Sequence, residues 1–301
     1  MIVDCHIHLW HNSAQLGRAA DGVRHPTARA DEPLPEASLD QYLGGARAVD
    51  RTIVLGIASR HLGAELPHRQ IAEVVRSSNG RLIGFAGIDP TDRDAGRQLR
   101  EAREEHGLLG VGLCPAACDC HPADTRAMRL YETACALKMP VVFHRAGLMA
   151  APSRLDYARP ALIDEVARAF PELRIVVSHV GRPWAEECLM LLAKHPGVYS
   201  DIAGLLERPW PAFNLLLSAN SGGVIDKLLF ASGFPFAAPA VCIEALYSIN
   251  HLAHGTNLPT IPRERLRSIV ERDAIALLGL PGALAPSRPA AGGSGLTRTD
   301  E

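Results

Sequence analysis

Eight short apolar runs recur along the chain, and an amphipathic stretch follows each of them. The runs cover residues 1–8, 51–57, 82–89, 110–115, 140–145, 174–179, 198–202 and 227–232. Most are continuously apolar, as expected of parallel strands covered on both faces. The stretches between them, at 39–49, 66–77, 92–106, 124–137, 161–170, 185–194, 212–219 and 240–254, carry apolar residues at helical spacing. Pro160 and Pro183 fall near helix starts, where a missing N–H costs little. A closing helix is expected over 262–278, after Pro259 and before Gly279. Eight strands alternating with eight helices in 301 residues predict a (β/α)₈ TIM barrel, a single α/β domain over residues 1–280. The rival is an open doubly wound sheet, but no Gly-rich phosphate loop follows the first strand.

Two segments stand outside the alternation. Residues 11–37 are polar and proline-bearing and read as a long loop over the barrel mouth, with His25 within reach of that mouth. Residues 281–301, rich in Pro, Gly, Ser and Ala, read as a disordered tail.

Composition narrows the function classes. The net charge of −2 with mixed signs gives no basic surface for nucleic acid, and no run of about 18 apolar residues implies a membrane span. The chain enters its first strand directly, with no secretory leader visible. Seven cysteines, without the density of a disulfide framework, read as reduced thiols in a cytoplasmic protein. Cys114, Cys118 and Cys120 cluster beside His121, but their spacing does not match paired zinc ligands. A small-molecule substrate is expected, and a homodimer is left open.

A barrel of this kind carries its chemistry at the C-terminal ends of its strands. Reading those ends gives His6 and His8 from the first strand, Asp89 from the third and Cys114 from the fourth. The later strands give His144, His179, Asp201, and Ser232 with Gly233. His-x-His on a strand places both imidazoles on one face, because side chains alternate with period two. By the same alternation Cys5 should point away, into barrel packing. Four histidines converging on one mouth point to a divalent metal such as zinc.

The residues also resemble a known family. Asp4-Cys5-His6-Ile7-His8, Pro140–His144 and Ser178-His179-Val180-Gly181-Arg182-Pro183-Trp184 are similar to segments of the amidohydrolase superfamily. The likeness is to the amidohydrolase-related group that includes aminocarboxymuconate-semialdehyde decarboxylase. Segments 198–201, 227–235 and 272–280 continue it in order. The resemblance implies that His6, His8 and His144 hold the metal and that His179 is a catalytic base or a further ligand. It also implies an Asp at position 233, where this chain has glycine. That departure removes an anionic ligand and a proton acceptor. His179 is then the first candidate for proton transfer and Asp201 the second.

Arg145, next to His144, is a candidate for binding a substrate carboxylate, and Trp10 and Trp184 are candidate aromatic walls. The expected activity is metal-dependent hydrolysis of a small amide, lactone or ester. The alternatives are metal-dependent non-oxidative decarboxylation and a barrel that Gly233 has left without catalysis.

Overall fold

The computed structural model describes residues 1–23 and 34–282. Residues 24–33 of the expected loop 11–37, with His25, and residues 283–301 of the expected tail lie outside the described residues.

Each of the eight apolar runs contains a strand. They are β1 (Val3–Ile7), β2 (Arg51–Leu55), β3 (Leu82–Gly87), β4 (Gly110–Leu113), β5 (Val141–Phe143), β6 (Ile175–Val177), β7 (Val198–Asp201) and β8 (Leu228–Leu229). Neighbours in this order pair in parallel from β1 through β8. The ring closes where the Cys5 N–H donates to the Phe230 carbonyl at 2.9 Å and the Gly233 N–H to the His6 carbonyl at 3.1 Å.

The helices between the strands are α1 (Leu39–Gly45), α2 (His68–Ser77), α3 (Ala95–Glu104), α4 (Thr125–Ala136), α5 (Ile163–Ala169), α6 (Ala185–Lys194), α7 (Pro209–Ser221) and α8 (Pro239–Ser248). Side-chain capping explains two of their starts. The Ser38 and Gln41 side chains form a reciprocal capping box at α1, and the Asp124 carboxylate accepts from the Arg126 N–H at α4. Among the described residues, no helix is long and apolar enough to cross a membrane.

Strand side chains sort into two layers. Val54, Val111, Ile175 and Val198 face the helices. Ile53, Leu55, Phe85, Val142, Val176 and Leu229 fill the barrel interior. Fully burying an aliphatic or Phe side chain contributes roughly 1.5–3 kcal/mol, so both layers hold the ring closed.

The closing helix differs from the expected 262–278. It runs Arg263–Glu271, breaks where Arg272 turns extended (φ −66°, ψ 133°), and resumes as Ala274–Leu277. The Asp273 carboxylate caps the second piece by accepting from the Ala276 N–H at 3.0 Å. The break swings Ile275, Leu278 and Leu280 onto Val3 and Ile53, where they plug the bottom of the barrel. The segment after β1 is also more structured than a loop. Asn12 and Gln15 form a capping box for a 3₁₀ turn over Ser13–Ala19. Gly17 (φ +49°) lies against Gly63, so close that an added Cβ would fall 2.3 Å from the Gly63 carbonyl oxygen.

Candidate metal centre and cavity

β1 does not keep its alternation. Asp4 reaches outward, where it accepts from the Tyr42 hydroxyl of α1 at 3.1 Å. Cys5 packs in the barrel interior. The register of β1 on β2 then shifts between Asp4 and Ile7, so Cys5 and His6 both face inward, Ile7 packs outward, and His8 faces inward again. A bulge that re-aims a side chain beside a functional site is a familiar device. Cys5 is therefore in barrel packing as expected, but on the same side as the histidines.

His144 follows β5 and completes a triangle. The Nε2 atoms of His6 and His8 are 3.2 Å apart, those of His8 and His144 3.0 Å, and those of His144 and His6 2.9 Å. Backbone and carboxylate partners set the protons. The Leu55 carbonyl, 2.8 Å from His8 Nδ1, accepts only, and the Asp201 carboxylate sits 2.9 Å from His6 Nδ1. Both rings therefore carry their hydrogen on Nδ1 and turn Nε2 lone pairs toward each other. The Ala146 N–H donates to His144 Nδ1 at 2.9 Å, so the neutral ring carries its hydrogen on Nε2, pointed at those lone pairs. With a cation held at Nε2, the neutral ring would carry its hydrogen on Nδ1 instead, on the side of Cys114 Sγ at 3.6 Å. The donor set fits one: three imidazole nitrogens, two already oriented by partners on their far side, spaced for a shared ion at about 2.0–2.1 Å.

Burial keeps His8 and His144 neutral. Desolvation and the neighbouring His6 push His8 down to about 3, and desolvation also drives His144 well below its ordinary range. Burial alone would raise Asp201. Its pairing with His6 and the N–H bond from His179 outweigh that and hold the carboxyl well below the usual carboxylate range. Asp201 thus orients His6 and fixes His179 through its backbone, at 2.9 Å in each case.

His179 sits in the left-handed region (φ +58°), strain held in place by that N–H bond and by Nδ1 donating to the Ala203 carbonyl at 2.7 Å. Its Nε2 is left with the lone pair. Its ring centroid lies 4.8 Å from that of His6, and burial pushes its pKa well down.

Above the trio opens a cavity of about 380 Å³. His179, Trp10 and Arg145 line it. Trp184 does not. It stands half-buried at the start of α6, because its backbone N–H turns back to the Gly181 carbonyl. Asp89 is likewise occupied elsewhere, accepting from the Arg60 and Thr91 N–H groups. Cys114 lies behind His144, with Sγ 3.6 Å from Nδ1, and burial pushes its thiol up to about 12. Among the described residues the only trio of clustered ligand atoms is His6, His8 and His144, so Cys114, Cys118 and Cys120 form no second centre there.

Three charged cavity residues escaped the sequence reading: Arg182, Glu207 and Arg208. Arg182 lies in the quoted Ser178–Trp184 segment, three residues past His179, a usable signal. Glu207 and Arg208 lie in the loop after β7, where no periodicity marks them. The guanidiniums crowd one another. Burial and then Arg182 lower the pKa of Arg145, and burial and then Arg208 lower that of Arg182.

Gly233 also lines the cavity, at φ +74°. Asp4 fixes the turn before it, accepting from the Ser232 N–H at 2.9 Å and the Ser232 hydroxyl at 2.6 Å. A Cβ at position 233 would lie 3.2 Å from the Gly204 nitrogen.

A closed parallel barrel with three imidazoles gathered at its mouth defines a TIM barrel with a candidate metal centre. The amidohydrolase family matches residues 3–286, and the chain belongs to that family. No curated protein matches it. Among solved structures it is similar to an uncharacterized TIM-barrel protein of Bordetella bronchiseptica, at 20% identity and TM-score 0.68, over 92% of this chain and 98% of that one. It is also similar to a probable 2-pyrone-4,6-dicarboxylic acid hydrolase of Acinetobacter baumannii, crystallised with citric acid bound, at 17% identity and TM-score 0.63, over 93% and 99%. A third is the 5-carboxyvanillate decarboxylase of Sphingomonas paucimobilis, at 12% identity and TM-score 0.65, over 93% and 99%.

Proposed function

We propose that the protein is a metal-dependent enzyme that hydrolyses an ester, lactone or amide bond in a small carboxylate. The observation that carries this reading is the pairing of three convergent Nε2 atoms with three cavity arginines. His6, His8 and His144 would hold a divalent cation such as zinc, which supplies Lewis acidity to a carbonyl and lowers the pKa of water. His179 accepts a proton at Nε2, its other nitrogen being committed to Ala203. Asp201 orients His6 and the His179 backbone. Arg145 binds the substrate carboxylate, and Trp10 forms an apolar wall that excludes water.

Gly233 favours a second reading, decarboxylation. With no carboxylate at the end of β8, a reaction in which His179 Nε2 takes a proton from a substrate hydroxyl and returns it to the carbon that loses CO₂, with no water attack, suits the site as well. The decarboxylase among the structural neighbours and the hydrolase among them bracket these two chemistries.

The test is metal analysis of the purified protein followed by two assays on a panel of carboxylated lactones and hydroxyaryl carboxylates, pH-stat for hydrolysis and CO₂ release for decarboxylation. About one equivalent of metal and acid production from a lactone are expected. Release of CO₂ alone would replace hydrolysis by the second reading. Protein that takes up no zinc and turns over neither class would overturn both.

A further inference from the structure

Resting on the reading of the cavity as a carboxylate pocket, we propose that Glu207 is a specificity-determining residue: an internal anion that sets how much negative charge the pocket accepts. Glu207 is the one acidic side chain among the described cavity-lining residues, which include Arg145, Arg182 and Arg208. It rises from the loop between β7 and α7, with its side chain exposed at the mouth. Its carboxylate does not point away from the site. A Cβ built on Gly204 would lie 3.6 Å from Glu207 Oε1 and 3.7 Å from His179 Nδ1, so the Glu207 carboxylate and the His179 ring flank Gly204. Gly204 has no side chain to separate the two. The charge of Glu207 acts on both Arg145 and Arg182, opposing the loss of basicity that burial and mutual repulsion impose on them.

The physical consequence follows from charge balance. Three guanidiniums lining one cavity repel one another, and Glu207 neutralises part of that field. A ligand carboxylate entering the pocket meets the arginines and Glu207 together. It gains attraction from the first and loses some of it to the second. Each further negative charge on the ligand raises the penalty from Glu207, so the residue discriminates against the most highly charged ligands.

The experiment is calorimetric titration of the full chain with benzoate, isophthalate and benzene-1,3,5-tricarboxylate, which share one ring and differ in charge, with benzamide as the neutral control. Glu207→Gln should tighten isophthalate by about three- to tenfold at low salt, benzoate by less and the tricarboxylate by more. Glu207→Asp, which keeps the charge, should bind like the wild type. Unchanged or weaker anion binding in Glu207→Gln, or an equal gain for benzamide, would overturn the proposal and leave the carboxylate pocket standing. Failure of both wild type and variant to bind any of the three carboxylates would instead remove the pocket reading itself, and this proposal with it.

Discussion

His6 and Asp201, 195 positions apart, are joined by a buried hydrogen bond of 2.9 Å from Nδ1 to Oδ2. The bond fixes the tautomer that turns the His6 Nε2 lone pair toward His8 and His144. A partner behind a ligating imidazole typically sets ten- to a hundredfold in metal affinity. Asp201→Ala should therefore lower zinc affinity by about 10–100-fold, read by competition with a chelating dye. Equal zinc retention in variant and wild type would show that the carboxylate does not orient His6.

Gly233→Asp sets strain against a new ligand. The left-handed φ of +74° costs a non-glycine residue about 1–2 kcal/mol, and the Cβ would press on the Gly204 nitrogen at 3.2 Å. The variant should melt a few degrees lower without metal and hold metal more strongly than the wild type. Gly233→Ala should show the strain alone. If Asp and Ala behave alike in metal retention, position 233 does not reach the centre.

Arg145 is half-buried at the cavity wall and repelled by Arg182. Arg145→Met should raise KM for a carboxylated substrate by about ten- to a hundredfold, the size of one lost charge-assisted hydrogen bond, with a smaller effect on kcat. A loss confined to kcat would move Arg145 from binding to the chemical step.

Asp124 gives a stability prediction with a defined sign. Its hydrogen bonds to Arg126 hold the carboxyl down to about 2, below its ordinary 3.8. A depressed folded-state pKa means that its contribution is complete above about pH 4 and is lost as pH falls through 2. Asp124→Ala should destabilise by about 1 kcal/mol at neutral pH, the usual size of a lost helix cap. The difference from wild type should shrink in acid, as measured by urea unfolding at pH 7 and pH 3.

The barrel was legible because its strands are buried on both faces, so Ile53–Leu55 or Val141–Phe143 carry an unbroken apolar signal. Histidines at the ends of such strands were legible for the same reason. Register was not. Period-two alternation cannot show the bulge between Asp4 and Ile7, which brings Cys5 to the side of His6. The break at Arg272 was hidden because one capping bond from Asp273 overrides an otherwise helical pattern. The Ala58–Ser59 and Ala64–Glu65 hairpin is too short to leave a periodic trace. Glu207 and Arg208 reach the cavity through a loop path set by tertiary packing, whereas Trp184 is drawn away by a backbone turn.

The seam that closes the barrel has a consequence for loading. The bonds from the Cys5, His8 and Gly233 amides that join the first strand to the last run through the very residues that surround the trio. Whatever occupies the three imidazoles also bolts this joint, and by linkage a loosened joint sheds its occupant. Amide exchange at Cys5 and His8 should slow when zinc is added, while exchange in β3 and β4, on the far side of the ring, stays as it was.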